Sequence, residues 1–167
     1  MATIKASLFS ALDGVVDPGV GNWHFPYFNE EMGAAVTDTH DADVMLFGRV
    51  TYDSFAGAWP ERETAGGEDA PFAKRLGDMR KIVVSRSPRE LTWRNSEQLQ
   101  GDLVEAVTAL KNDPSIGRIA LSGSVSVIRQ LLDVRHHRFE EFAEPTPRRS
   151  RLHQRGVSGI GVPFSAT

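Results

Sequence analysis

D-V-M-L-F-G-R-V-T-Y-D-S-F, Asp43 to Phe55, is the stretch that decides the fold. It opens on a short, continuous apolar run, the pattern of a strand covered on both faces. Gly48 then lets the backbone turn closely. Helical character begins within three residues, and Thr51 to Ala58 reads as a helix of a turn or two. A buried strand that runs straight into a helix is the building unit of an α/β domain.

The same unit recurs along the chain. Ile4 to Phe9 is a first strand, Lys81 to Val84 (K-I-V-V) a further buried one, and Arg118 to Leu121 another. Val125 to Leu132 follows the last of these as a helix. Asn29 to Thr39 places Met32, Ala35 and Val36 on one helical face, and Asp102 to Lys111 does so with Leu103, Val107 and Leu110. Phe72 to Met79 reads as a short helix. Asp13 to Trp23 and Pro60 to Ala70 carry turn chemistry and read as loops. This alternation predicts a three-layer α/β sandwich with a mostly parallel central sheet. The chain shows no internal repeat, linker or second domain.

Composition narrows the function classes. The 167 residues are 40% hydrophobic and 25% charged, ordinary for a globular domain. There is no cysteine, which removes disulfides, thiolate metal sites and a thiol nucleophile, and fits a reducing cytoplasm. No apolar run approaches the roughly 20 residues that span a bilayer, and the N-terminus lacks the long apolar core of a secretory signal. Net charge is −3, unevenly placed. Residues 1–134 hold thirteen Lys and Arg against nineteen Asp and Glu, while residues 135–167 hold six Arg against three Glu. An acidic body argues against a general nucleic-acid binder.

Three strand–helix junctions carry the candidate chemistry. In open α/β sheets ligands collect where strands end, because free backbone N–H groups and positive helix ends point there. Gly48, Arg49 and Thr51 form the first junction; each suits a phosphate, and each equally suits a plain strand–helix turn. Ser85, Arg86 and Ser87 form the second, where two hydroxyls and a guanidinium would fit a phosphate monoester or simply a polar turn before Pro88. Gly123, Ser124 and Val125 form the third, with the small residues that a pyrophosphate or a helix cap requires. Together they would line one sheet edge, long enough for an extended dinucleotide.

A substrate pocket would lie beside them. Trp23, Phe25, Tyr27, Phe28, Phe55 and Trp59 offer flat apolar walls, with ordinary core packing as the alternative. Asp13, just beyond the first strand, is the candidate proton donor, although Asp-Gly is also a common turn pair. Glu30 and Glu31 stand where a helix dipole alone favours carboxylates. His24, His136 and His137 lack partners at metal-ligand spacing, so no metal site is read.

The order of S-x-x-D-G-V (from Ser10), W-H-F-P-Y-F-N-E-E-M (from Trp23), G-R-V-T-Y-D-S-F (from Gly48), K-I-V-V-S-R-S (from Lys81) and S-G-S-V-S-V-I-R-Q-L-L (from Ser122) resembles the dihydrofolate-reductase-like family. Within it the chain looks like the bacterial deaminase/reductase proteins, similar to the reductase domain of riboflavin biosynthesis. The resemblance covers about residues 2–133. It implies NADPH as cofactor, with Gly48, Arg49, Thr51, Ser85, Arg86, Ser87, Gly123, Ser124 and Val125 in contact with it. It also implies Asp13 and Trp23 at the catalytic centre, and Phe28, Glu31, Phe55 and Trp59 around a small heterocyclic or carbonyl substrate. Classical members place an acid five residues after the loop tryptophan; here that position is Phe28, which argues against a folate substrate.

After Asp133 the pattern breaks. Residues 134–167 hold three prolines, six arginines and few branched apolar residues. Phe139 and Phe142 allow a short helix at 138–144, and only G-V-S-G-I-G-V-P-F, Gly156 to Phe164, resembles a strand. The expectation is a domain at 1–133 followed by a divergent tail, from a shifted reading frame or a poorly ordered end. The family's last strands, which often form the dimer contact, would then be missing, leaving an open sheet edge; a homodimer is expected if those strands are effectively replaced. A cofactor-binding module without turnover, and an interaction protein using the basic tail, are the competing functional readings.

Overall fold

In the computed structural model, residues 1–16, 25–133, 139–141 and 160–166 are described. The chain forms β1 (Thr3–Ser10), α1 (Glu30–Thr39), β2 (Val44–Gly48), α2 (Arg49–Ala65), α3 (Ala70–Asp78), β3 (Arg80–Val84) and β4 (Ser96–Gln98). It continues as α4 (Leu103–Asn112), β5 (Arg118–Ser122), α5 (Val125–Asp133), β6 (Phe139–Glu141) and β7 (Ile160–Ala166). A 3₁₀ turn, Phe25–Tyr27, precedes α1. The strand order is β4-β3-β2-β5-β1-β7-β6. The first five are parallel neighbours, and β7 and β6 pair antiparallel beyond β1. The protein is an α/β domain.

Alternation along the strands builds two cores. On β2, Val44 and Leu46 face one side and meet Val107, Val127, Ile128 and Leu131 of α4 and α5. Met45 and Phe47 face the other and meet Tyr52, Leu76, Met79 and Trp93. A fully buried side chain of this kind contributes about 1.5–3 kcal/mol, so β2, buried at all five positions, anchors both layers. Helix α1 lies on the second face: Lys5 Nζ reaches Asp38 across 2.7 Å, and His40 packs against Phe55 and Phe72.

Three elements differ from the reading of the sequence. Helix α2 does not stop before Pro60; it runs through it to Ala65. Packing explains this. Trp59 lies edge-on to Phe72, Arg62 sits 5.0 Å over the Trp59 ring, and Glu63 pairs with Arg94, so tertiary contacts outweigh the hydrogen bond that proline forfeits. Strand β4, with its polar sequence S-E-Q, exists because its backbone extends β3 in register from Lys81↔Ser96 to Val83↔Gln98.

The end of the chain is the third difference. Residues 139–141 form strand rather than the helix expected at 138–144; Phe142 lies outside the described residues. The edge of β1 is not left open either, although an open sheet edge is expected from the sequence. All seven residues of β7 pair with β1, from Ile4↔Ala166 to Ser10↔Ile160. In β7, Ile160, Val162, Phe164 and Ala166 recur at every second residue, the period of a strand, and the register sets the last three opposite Leu8, Ala6 and Ile4.

Candidate functional site

Parallel pairing brings the three junctions to one rim. Gly48 pairs with Val84, so the end of β2 and the Ser85 turn are adjacent. Strand β5 flanks β2 on its other side, with Met45 opposite Ala120, so Gly123 follows on the same edge. Strand β1 is next, with Ser7 opposite Ser122, and the segment bearing Asp13 continues from it.

The first and third junctions touch. The Gly48 amide donates to Ser124 Oγ across 2.8 Å in a buried bond. The Gly123 amide donates to the Ser7 carbonyl at 3.0 Å, which ties the start of α5 to β1 as well. Gly123 has φ +69° and Ser124 φ +60°, a left-handed corner that a non-glycine residue rarely adopts. A Cβ on Gly48 would lie 3.3 Å from Val127 Cγ2 and 3.4 Å from Ser124 Oγ, and one on Gly123 would meet Thr51 Cγ2 at 3.5 Å. Gly48 thus lets the two helix starts close on each other, while Gly123 supplies the left-handed turn. No side chain caps the start of α2, which leaves its positive end to the rim.

The second junction is held by a residue absent from the sequence reading. Gln98 Nε2 donates to the carbonyls of Ser85 and Ser87 at 3.2 and 3.0 Å, and its Oε1 accepts from the Arg89 amide at 3.0 Å. One side chain of β4 therefore shapes the whole turn. Ser85 Oγ donates to the Ser87 carbonyl at 2.9 Å, and the Arg86 and Ser87 side chains are exposed. Nothing in an S-E-Q strand signals this task, because it depends on the β3–β4 register.

The catalytic and pocket candidates divide. Asp13 is exposed, and its Oδ1 accepts from the Val15 amide at 3.1 Å, so the carboxylate closes a local turn. Trp23 and His24 lie outside the described residues. Phe28 is half-exposed and meets Phe9 edge-on at 6.4 Å. Glu31 is exposed in the first turn of α1, whose cap is Asn29. Phe55 and Trp59 are partly buried and pack against the second core: Phe55 on Phe47, His40 and Trp59, and Trp59 on Phe72. Their 3.6-residue spacing on α2 turns them toward α3 and the sheet, a face the sequence does not distinguish from a pocket-lining one.

A cavity of about 340 Å³ lies elsewhere, lined by Ile82, Leu99, Ala106 and Leu110 together with Arg80 and Asp113. Among the described residues no group of three or more His, Asp or Glu side chains could hold a metal ion, and no helix is long and apolar enough to cross a membrane. Comparison of the chain with protein-family models gives no match, and comparison with curated proteins gives no significant one.

Proposed function

We propose that the chain is an NADPH-dependent reductase of the dihydrofolate-reductase-like class, acting on a small heterocyclic or carbonyl compound. The observation that carries this reading is the joined corner of Gly48 and Ser124, flanked on the same rim by the Ser85–Ser87 turn. A glycine at 48 where a side chain would crowd the start of α5, a left-handed glycine at 123, an uncapped α2 and a polar turn one strand away suit a phosphorylated dinucleotide. On this reading Gly48, Arg49, Thr51, Gly123, Ser124 and Val125 hold the pyrophosphate, and Ser85, Arg86 and Ser87 hold the 2′-phosphate.

NADPH supplies the hydride when bound. The chain's own residues bind and orient: the rim amides fix the phosphates, Arg86 selects the extra phosphate by its forked donors, and Phe28 offers an apolar surface at the mouth of the site. Asp13 is the candidate proton donor on this reading. A binding module without turnover is the second reading, favoured by the engagement of the Asp13 carboxylate in that turn.

Tryptophan fluorescence titrated with NADPH and NADH tests the reading, followed by NADPH oxidation with candidate carbonyl and heterocyclic substrates. Preferential quenching by NADPH with turnover supports the reductase; quenching alone supports the binding module. Arg86→Ala should weaken NADPH far more than NADH, and an equal loss removes the 2′-phosphate assignment.

A further inference from the structure

The Asp53 carboxylate bridges two arginines from different parts of the rim. Arg49, the first residue of α2, places Nη1 3.8 Å from Asp53 Oδ2. Arg89, beyond β3, places Nη2 2.7 Å from Asp53 Oδ1. The three side chains are 55%, 41% and 26% exposed for Arg49, Asp53 and Arg89. Pairs this exposed add little to stability, so their main consequence is electrostatic, toward whatever anion approaches.

Arg89 is the better held of the two cations. Its amide is fixed by Gln98, and its Nε is enclosed without a hydrogen-bond partner. Its Nη2 is engaged by a single carboxylate oxygen, so the guanidinium keeps further Nη donors for a second anion.

We propose that Asp53 is an internal counter-anion. It pairs with Arg49 and Arg89 and yields at least one of them to an incoming dianionic phosphate or pyrophosphate group. Arg89 then becomes a phosphate-contacting residue in addition to those of the strand–helix junctions. This deepens the proposed function, because it concerns the same rim. Carboxylate and phosphate compete for the same donors, but a phosphate dianion brings more charge and three acceptor oxygens. Asp53 thus sets a threshold that dianions pass and carboxylates or monoanions do not.

Inorganic pyrophosphate, titrated calorimetrically into the full chain, tests the inference without any dinucleotide. Asp53→Asn should tighten pyrophosphate roughly fivefold at low salt, since one repulsive unit charge leaves the site. Arg89→Gln should weaken it about tenfold, and the double variant should lose the gain. An unchanged or weaker affinity in Asp53→Asn, an unchanged affinity in Arg89→Gln, or no pyrophosphate binding by wild type and Asp53→Asn alike overturns the proposal. NADPH in parallel separates the two readings. If pyrophosphate follows the expected order while NADPH fails to bind, the dinucleotide reading falls and the counter-anion stands; if NADPH binds and the Asp53 and Arg89 variants leave both ligands unchanged, the reverse holds.

Discussion

Gly48 and Ser124 are 76 residues apart in the chain, yet the amide of one and the hydroxyl of the other share a buried 2.8 Å hydrogen bond. It joins the start of α2 to the start of α5. Ser124→Ala leaves the Gly48 amide buried without its partner, at a cost of about 1–3 kcal/mol. Urea unfolding measures it. If the reductase reading holds, NADPH affinity drops alongside stability; a variant as stable as wild type shows that the bond does not organise the rim.

Gly123 bears on the same corner through its backbone. At φ +69° an alanine Cβ is strained by about 1–2 kcal/mol. Gly123→Ala should therefore lower the thermal midpoint, whereas Gly57→Ala, in α2 with open space around its Cβ, should raise it slightly. The opposite order would contradict the left-handed corner.

Lys81 is buried in β3, and its ammonium donates to the carbonyls of Leu76, Gly77 and Met79 at 2.7, 2.9 and 2.6 Å, where α3 ends. The Trp93 ring lies 4.4 Å away. Burial, reinforced by repulsion from Arg94, lowers its pKa to about 8, so the charged form still predominates at neutral pH. Lys81→Met removes a costly buried charge but strands three carbonyls, and the second effect wins: a loss of about 2–3 kcal/mol by urea unfolding at pH 7. Equal stability would mean that the carbonyls find other partners.

His40 gives the fold a pH dependence. It is buried between Phe55 and Phe72, with Nδ1 2.6 Å from the Val36 carbonyl, so the neutral ring donates through that nitrogen. Burial holds its pKa below 6.5; the Val36 bond opposes the shift and the Arg75 charge adds to it. With the folded pKa below the unfolded one, the unfolded chain binds the proton first as pH falls. Stability should therefore decline below pH 6.5, by up to about 1.4 kcal/mol per pH unit, until the folded pKa is reached. His40→Phe should flatten the urea midpoint between pH 7 and 5; an unaltered slope assigns the dependence to other groups.

Strand β7 covers an edge that would otherwise present unpaired backbone groups along β1. A chain ended after Asp133 should aggregate or pair with a second copy, seen as a shift to larger species in size-exclusion chromatography. A monomeric and equally stable truncation would show that β7 adds nothing to the sheet.

How much of this was legible in the sequence depends on the range of the interaction involved. Local pattern was enough for β2, β3, β5, α4 and α5, because a buried strand and an amphipathic helix write their burial into consecutive residues. It was enough, too, to single out Gly48, Ser85 and Gly123 as corners. The sequence could not show that Phe55 and Trp59 pack inward, since pocket and core demand the same residue types at the same spacing. Nor could it announce β4 or the role of Gln98, whose polar strand exists through pairing with β3. Pro60 reads as a stop, and only tertiary contacts of Trp59, Arg62 and Glu63 overrule it. Tertiary structure alone decided that Asp53 stands between Arg49 and Arg89, and that the corners at 48 and 123 are bonded neighbours. The reason is physical. Period and propensity act over a few residues, whereas parallel register joins strands dozens of residues apart and sets which polar groups meet at their ends.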